Sequence, residues 1–594
     1  MIRGLAPTAN NFRPVGAASP AFNPAHVALI GGRTTVSKPL APTKYMTCHS
    51  RKLCLLPLLL VALSCAHAAA ADSETALVER RAQRLTQLPA PPAPPTVDLP
   101  TAGPIDQFIV AKWRSAKLPI SGKGPELCDD ATFARRVYLD LTGAIPTFLE
   151  INRFLADASA DKREKLIDAL LARSRDYAAH WTPFWEDALA SQTVLVQGGI
   201  PTRGNYRDWI FQSFERNRPY DVFVAELIDP TMPRRQGSKS QDILGQKFTI
   251  EYVRNDNDTD TLQTAANIGQ VFLGTSMKCA SCHDHFENRE WPQSRFVGFA
   301  SWFAPRDLEL VRCEVHSGQT VAAQFPWKLD TAAPPAAPAT IAERLHEVAL
   351  MVTDPANPRF SQAIVNRLWK RYLGFGLVEP VDDFRADVPA SHPELLAWLA
   401  HDFVAHGCDL KHTIRQILTS RTYQLKYDAA VEDRVDVSVR ALPRYFRSPG
   451  LRRITAEQFI DSLHMAVKGK LDAGERSFLD PRSTVLTRAL GRPASRNEIM
   501  TTRPDDVVVM QALELLNGKE LNELVYTDPI VPETAVKQDA RKAIDRVYRT
   551  VLSRPASVDE KRVGREFLLV GNPREALGDL LWTLVCSPEF QYIH

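Results

Sequence analysis

Residues 357–374 read NPRFSQAIVNRLWKRYLG, and this stretch indicates the fold class of the chain. Asn357 and Pro358 are a typical helix start, and Gly374 is a typical helix end. Between these signals, apolar side chains recur every three or four residues, which is the period of an amphipathic helix. The apolar positions are Ile364, Val365, Leu368, Trp369 and Tyr372. We therefore predict a helix that packs one face against a core.

The same helix signals recur on both sides of this stretch. A Ser or Thr followed three residues later by Glu or Gln predicts a capping box at the start of an apolar periodic run. The predicted boxes are Thr147–Glu150, Ser391–Glu394, Thr455–Gln458 and Ser557–Glu560. Strand-like segments are scarce, and the best candidates are residues 193–196 and 247–253. The predicted fold is mainly α, with two helical domains, a Pro/Ala-rich linker and few short strands.

Two proline-rich segments divide the chain. Residues 72–104 include LPAPPAPPTVDLPTAGP, which predicts an extended tether without a core. Residues 330–340 read DTAAPPAAPAT and predict a linker between two blocks of similar size. The sequence thus predicts one helical domain at residues 105–329 and a second at residues 341–594.

The first 71 residues have the composition of an export leader. They hold seven Lys/Arg and no Asp or Glu, whereas the rest of the chain holds 65 Lys/Arg and 69 Asp/Glu. Residues 46–71 combine a basic start, an apolar stretch and small residues at a cleavage site, as a secretory signal peptide does. Because residues 1–45 precede a complete signal, we predict that translation begins at Met46. The mature protein is expected in the periplasm or at the cell surface.

Composition excludes several classes of function. With 44% hydrophobic and 24% charged residues, the chain is globular rather than disordered. The mature chain is slightly acidic, which argues against nucleic-acid binding. After the leader the sequence has no uninterrupted run of 18 apolar residues, so no integral membrane segment is predicted. The sequence contains no Gly-rich phosphate loop, nucleophile elbow or H-E-x-x-H motif, and so it supports no hydrolase machinery.

The strongest chemical motif is CASCH at residues 279–283, which has the C-x-x-C-H spacing of c-type haem attachment. Two thiols must reach two vinyl groups on one porphyrin edge, and an imidazole must reach the iron. Positions 279, 282 and 283 share a face on a helical turn. Cys279 and Cys282 are therefore predicted to bind haem c covalently, with His283 as the proximal iron ligand. Export agrees with this prediction, because such haems are attached outside the cytoplasm.

Two other readings of this cluster stay open. A zinc or iron ion could be held by Cys279, Cys282 and His285, since neighbouring Cys282 and His283 would be strained on one tetrahedral ion. Alternatively, Cys279 and Cys282 form a disulfide and the histidines are solvated. Three upstream carboxylates could ligate a second metal or orient His283, although a solvated loop is the simpler reading. These carboxylates are Asp256, Asp258 and Asp260.

Other polar groups carry weaker predictions. His180 and His316 are candidate second axial ligands for a haem, but the sequence does not favour either of them. Several polar and aromatic residues in the second block are predicted to cap, pair and pack within the apolar helices. These residues are Asn366, Arg367, Trp369, Asp383 and His392.

The motif lies in a longer stretch, QVFLGTSMKCASCHDH at residues 270–285, that resembles the planctomycete cytochrome c-like domain family. Further matching stretches precede it, namely IDQF at 105–108, RRVYLDLTG at 135–143 and YRDWI at 206–210. The second block resembles the domain of unknown function that usually follows in the same chains. The matching stretches there include VNRLW at 365–369, SHPELL at 391–396, RRITAE at 452–457 and QALELLN at 511–517.

The resemblance implies an exported protein with a haem-like motif, in a family whose members often have no assigned reaction. Cys279, Cys282, His283, Asp284 and His285 are all retained. Members commonly continue CHDH with Lys-Phe-Asp-Pro, whereas this chain reads FENREW at residues 286–291. The expected function is redox or electron transfer with an unknown redox partner. The alternatives are a metal-dependent extracytoplasmic enzyme and a non-catalytic binding scaffold.

Overall fold

The computed structural model describes residues 74–190, 206–232, 259–312, 315–329, 337–433, 444–480, 482–496, 498–503, 508–527, 530–570 and 572–594. Within these ranges most residues are helical, which confirms the mainly α prediction. The predicted strands at 193–196 and 247–253, the leader at 46–71 and most of the 330–340 linker lie outside the described residues. Among the helices that are described, none is both long and apolar enough to cross a bilayer.

The N-terminal half is a series of helices followed by one hairpin. Its helices are α1 (74–85), α2 (Pro104–Ser115), α3 (Asp130–Thr142), α4 (Phe148–Ala156), α5 (Lys162–Leu171), α6 (Ser174–Ala188), α7 (Tyr206–Glu215), α8 (Tyr220–Ile228), α9 (Thr259–Leu273) and α10 (Gln293–Ala300). Strands β1 (Leu308–Arg312) and β2 (Val315–Val321) pair antiparallel.

The C-terminal half continues the helical pattern. Its helices are α11 (Ile341–Val352), α12 (Pro358–Leu373), α13 (Pro393–Ala405), α14 (Leu410–Thr419), α15 (Arg421–Gln424), α16 (Ala456–Lys468), α17 (Val485–Ala489), α18 (Val509–Asn517), α19 (Lys519–Thr527), α20 (Glu533–Gln538), α21 (Ala540–Val551), α22 (Val558–Leu568), α23 (Pro573–Val585) and α24 (Pro588–Gln591). Strands β3 (Arg452–Arg453) and β4 (Tyr592–Ile593) form an antiparallel pair.

Three of the predicted capping boxes form as expected, at Thr147, Thr455 and Ser557. The prediction for Ser391 is wrong in detail, because His392 is the N-cap of α13 and makes no side-chain cap hydrogen bond. Ser391 instead donates from Oγ and from its amide to the carbonyl oxygen of Leu377, at 3.2 and 2.7 Å. Its hydroxyl therefore holds a neighbouring loop.

The hydrophobic core is shared between the two halves of the chain. The larger buried cluster runs from Leu99 to Phe446 and includes Phe272 of α9 and Trp369 of α12. A second cluster joins Leu139 and Ile145 to residues between 454 and 593. Residues 74–85, inside the proline-rich N-terminal stretch, form a helix that is tied down by ion pairs with residues of both halves.

Candidate functional site

The C-x-x-C-H stretch follows directly from the end of α9. Gly274 ends the helix with a φ of +56°, a conformation that glycine adopts without steric cost. The amide of Thr275 then donates to the carbonyl oxygen of Gly269 at 2.9 Å, which turns the chain back along the helix. Met277 is fully buried against Gly269, where a Cβ atom would overlap its side chain. These contacts place the motif on a short turn just beyond the helix.

The two motif cysteines are accessible thiols. Residues Lys278–Ser281 form a 3-10 turn, with Cys279 exposed and Cys282 partly buried at its end. Both thiols are free, so the disulfide between them does not form in this structure. A turn of this kind keeps the two side chains available to a group that approaches from outside.

His283 is held in one tautomer. Its Nδ1 atom lies 2.7 Å from the carbonyl oxygen of Asp284. A carbonyl can only accept, so Nδ1 carries the proton and Nε2 keeps its lone pair. The imidazole also contacts the ring of Phe286, which is 79% exposed, at a centroid distance of 4.2 Å. This is the tautomer in which a histidine ligates a metal through Nε2.

His285 has the opposite arrangement. Its Nδ1 atom accepts hydrogen bonds from the amides of Glu287 at 3.2 Å and Asn288 at 2.9 Å. The neutral ring must therefore carry its proton on Nε2, which leaves that atom without a lone pair for a metal. The amide of His285 also donates to the carbonyl oxygen of Trp291 at 3.0 Å. His285 thus organises the loop, and this role disfavours it as a metal ligand.

The described residues contain one group of three metal-ligating side chains whose ligand atoms all lie within 4.8 Å of one another, and it excludes the C-x-x-C-H cluster. The group is Asp402, His406 and His412, near the junction of α13 and α14. Asp402 bonds both imidazoles of this group. Of the upstream carboxylates, Asp256 and Asp258 lie outside the described residues, as does the side chain of Asp260.

Family comparisons agree with the resemblance seen in the sequence. Residues 104–307 match the model for PSCyt2, a protein of unknown function (DUF1549). Residues 344–488 match the model for PSD1, a protein of unknown function (DUF1553). The chain is a PSCyt2–PSD1 protein. No curated protein and no solved structure matches it. We call residues 104–307 the PSCyt2 segment and residues 344–488 the PSD1 segment.

The PSD1 segment holds the helix that precedes the motif. Arg367 donates to the carbonyl oxygen of Val271 at 2.7 Å and pairs with Asp382 at 2.5 Å. The amide of Phe384 donates to the carbonyl oxygen of Gly274 at 2.8 Å. These contacts fix the end of α9, and through it the start of the motif.

A second set of PSD1 contacts reaches the motif loop itself. Arg385 is buried and pairs with Glu287 at 2.8 Å and with Asp383 at 3.5 Å. Burial raises the pKa of Asp383, while the charge of Arg385 acts to lower it. Asp383 therefore faces the loop that carries His285, a proximity that its position in the sequence does not suggest.

The remaining polar residues singled out in the PSD1 segment pair and pack as predicted. Asn366 exchanges hydrogen bonds with the backbone of Val378, and Trp369 is buried with its ring 5.2 Å from that of Phe446. His392 is buried beside the same phenylalanine, at a centroid distance of 5.5 Å. These side chains stabilise the fold.

The two candidate second axial ligands lie elsewhere. His316 is on β2, where it pairs with Glu309 at 2.9 Å. His180 is buried on α6 and lines a cavity that contains none of the motif residues. We call this the charged cavity, because many of the side chains that line it are charged. They come from the PSCyt2 segment, the PSD1 segment and residues 500–503. Charged residues stand beside apolar ones in the RRVYLDLTG and RRITAE stretches, but neither stretch shows that these residues meet.

Proposed function

We propose that this protein is an exported c-type haem-binding protein with a redox or electron-transfer role. Cys279 and Cys282 would hold the haem through thioether bonds, and His283 would ligate its iron through Nε2. The observation that carries the proposal is the 2.7 Å hydrogen bond between His283 Nδ1 and the carbonyl oxygen of Asp284. It fixes the tautomer that an iron ligand requires.

The donor set fits the group. Both thiols are free, and Cys279 is exposed where a maturation enzyme could reach it. A bound haem iron supplies one-electron redox chemistry. The role of this chain is to orient the imidazole through the Asp284 carbonyl and to hold the turn against α9. The leader predicted at residues 46–71 would deliver the chain to the compartment in which haem is attached.

The first experiment tests covalent haem directly. The chain is produced from Met46 in a host with an active c-type maturation system, and the product is examined by a pyridine haemochrome spectrum and by a haem stain on a denaturing gel. We expect a c-type spectrum that survives denaturation and disappears in Cys279→Ser/Cys282→Ser. Cys586→Ser is the matched control, because this partly buried cysteine lies outside the motif. A colourless product beside a matured control cytochrome would contradict the proposal.

A pair of histidine variants separates haem from a metal ion bound by the same cluster. His283→Gln should keep covalent haem but shift its Soret band, because the iron loses its protein ligand. His285→Gln should leave the spectrum unchanged, because His285 bonds the loop backbone. A colourless protein with stoichiometric zinc or iron that is lost in His285→Gln would favour a metal-dependent enzyme instead.

A further inference from the structure

We propose that the charged cavity binds a small ligand through an oxyanion group, a carboxylate or a sulfate or phosphate, with Arg371 as the anchoring cation. The cavity measures about 210 Å³. It is larger than a cavity of roughly 150 Å³ that holds benzene and smaller than drug-sized pockets of about 300 Å³ and above. The inference is independent of the haem proposal, because the cavity contains none of the motif residues.

The charge balance of the cavity favours an anion. Seven Lys/Arg and four Asp/Glu side chains line it. Each of these four carboxylates is already paired with an arginine of the same lining, at distances of 2.6 to 2.7 Å. The pairs are Asp140 with Arg452, Asp461 with Arg476, and Asp187 and Glu457 with Arg503. The acidic side chains of the lining are thus engaged by cations other than Arg371.

Arg371 lies apart from these pairs. Among the described residues, no carboxylate oxygen lies within 4.0 Å of its guanidinium. The guanidinium instead donates from Nη2 to Nε2 of His180 at 2.8 Å, and it lies 4.3 Å over the ring of Trp181. Burial lowers the pKa of Arg371, although an arginine remains charged in proteins. Arg371 is partly buried, and a cation that is withdrawn from water without a carboxylate in direct contact is costly. An anion in the cavity would supply that contact.

His180 holds Arg371 in place and adds no charge of its own. Because Nε2 accepts from Arg371, Nδ1 carries the proton. Burial, reinforced by the nearby charge of Arg371, lowers the pKa of His180 well below its ordinary value. Gly143 leaves room for the imidazole, since a Cβ atom there would lie 2.6 Å from His180 Nδ1. The positive charge offered to a ligand is therefore that of the guanidinium, stacked on an aromatic ring.

The geometry also specifies the kind of ligand. A guanidinium is a planar fork that matches the two oxygens of a carboxylate, sulfate or phosphate. Stacking on Trp181 and the bond to His180 hold this fork before a ligand arrives. The cavity has a mouth, because two residues of its lining, Leu451 and Thr502, are exposed at the surface. Apolar walls at Phe184 and Phe478 would contact the body of an organic anion.

Calorimetric titration of the full chain made from Met46 tests the inference. Acetate, sulfate and inorganic phosphate are titrated separately at constant ionic strength set with sodium chloride. We expect saturable binding of at least one of the three. Acetate alone would assign a carboxylate ligand, whereas sulfate or phosphate would assign a tetrahedral oxyanion. No saturable binding of any of the three would overturn the inference.

Two variants and one control localise the binding. Arg371→Gln should weaken binding about tenfold or more, because a charged hydrogen-bond donor is lost. Arg415→Gln is the control, since Arg415 pairs with Asp168 on the surface. Unchanged binding by Arg371→Gln would overturn the inference. If Arg371→Gln does not fold, Thr502→Trp decides, because it blocks the mouth and leaves every charged group in place. Retained binding by a folded Thr502→Trp would likewise contradict the assignment.

Discussion

The guanidinium of Arg367 donates to the carbonyl oxygen of Val271 across 2.7 Å, and thereby joins the PSD1 segment to the helix that ends just before the C-x-x-C-H motif. The same guanidinium pairs with Asp382 at 2.5 Å. Both side chains are buried. One arginine of the second segment therefore holds both its own loop and the scaffold of the motif in the first.

Arg367→Ala should destabilise the protein strongly, because it leaves Asp382 as a buried charge without this partner. Breaking a buried pair typically costs about 3–5 kcal/mol. The measurement is urea unfolding followed by circular dichroism. The control is Arg415→Ala, which removes a half-exposed pair with Asp168 and should cost about 1 kcal/mol or less. Equal losses for both variants would show that the Arg367 contacts do not anchor the motif helix.

Gly274→Ala should also destabilise the fold. Gly274 has a φ of +56°, and a Cβ atom there would lie 2.8 Å from Cδ2 of Phe384. The positive φ alone costs about 1–2 kcal/mol for a residue with a side chain, and the contact adds to this. Gly122→Ala is the matched control, because a Cβ atom there meets nothing within 4 Å. The prediction fails if both variants melt at the wild-type temperature.

Local signals in the sequence were enough to predict much of the fold. Capping boxes such as Thr147–Glu150 and the Asn357-Pro358 start were correct, because caps and helix periodicity act over a few residues. The β1–β2 hairpin was missed, since β2 is exposed along nearly its whole length and has no alternation of apolar side chains. Strand patterns are readable only where one face is buried.

The candidate site was predicted only in part. The spacing of Cys279, Cys282 and His283 was readable from the sequence, but the tautomers of His283 and His285 depend on which backbone atoms the loop presents to each ring. The charged cavity could not be predicted for a different reason. Its groups meet over long sequence separations, as Asp140 and Arg452 do across 312 positions. Their meeting is a property of the tertiary packing.

Asp106→Ala should lower the stability of the protein, because Asp106 links two helices that are distant in sequence. Asp106 of α2 is buried and accepts hydrogen bonds from the amides of Arg421 and Thr422 at the start of α15, at 3.0 and 2.9 Å. It also accepts from the Thr422 hydroxyl at 2.8 Å and from the amide of Ala102 at 2.8 Å. Leaving these buried donors unsatisfied should cost on the order of 3 kcal/mol. The midpoint of urea unfolding measures the loss.

Asp106→Asn provides a graded comparison, because an amide keeps one acceptor oxygen and should lose less stability than alanine. Asp98→Ala is the surface control, since the Asp98 side chain is 68% exposed and pairs only with Arg114 among the described residues. An Asp106→Ala loss no larger than that of Asp98→Ala would mean that the contacts of Asp106 do not stabilise the junction of α2 and α15.

Stability should fall as the pH falls below about 6.5, in part through His392. Burial lowers the pKa of His392 from its ordinary 6.5 to about 3, and Nε2 of its ring has no hydrogen-bond partner among the described residues. Between these two values the unfolded chain binds a proton that the folded protein does not. Acidification therefore favours unfolding by up to about 1.4 kcal/mol per pH unit, and the effect vanishes above about pH 6.5.

His392→Gln removes this difference in proton binding between the unfolded and folded states, because glutamine does not titrate. Chemical unfolding measured between pH 4.5 and 8 should give a shallower loss of stability in acid for the variant than for wild type, with parallel curves above pH 7. The slope should not disappear entirely, since His180 is also buried with a lowered pKa and contributes in the same direction. Identical acid slopes for variant and wild type would contradict the prediction that His392 stays neutral in the folded protein.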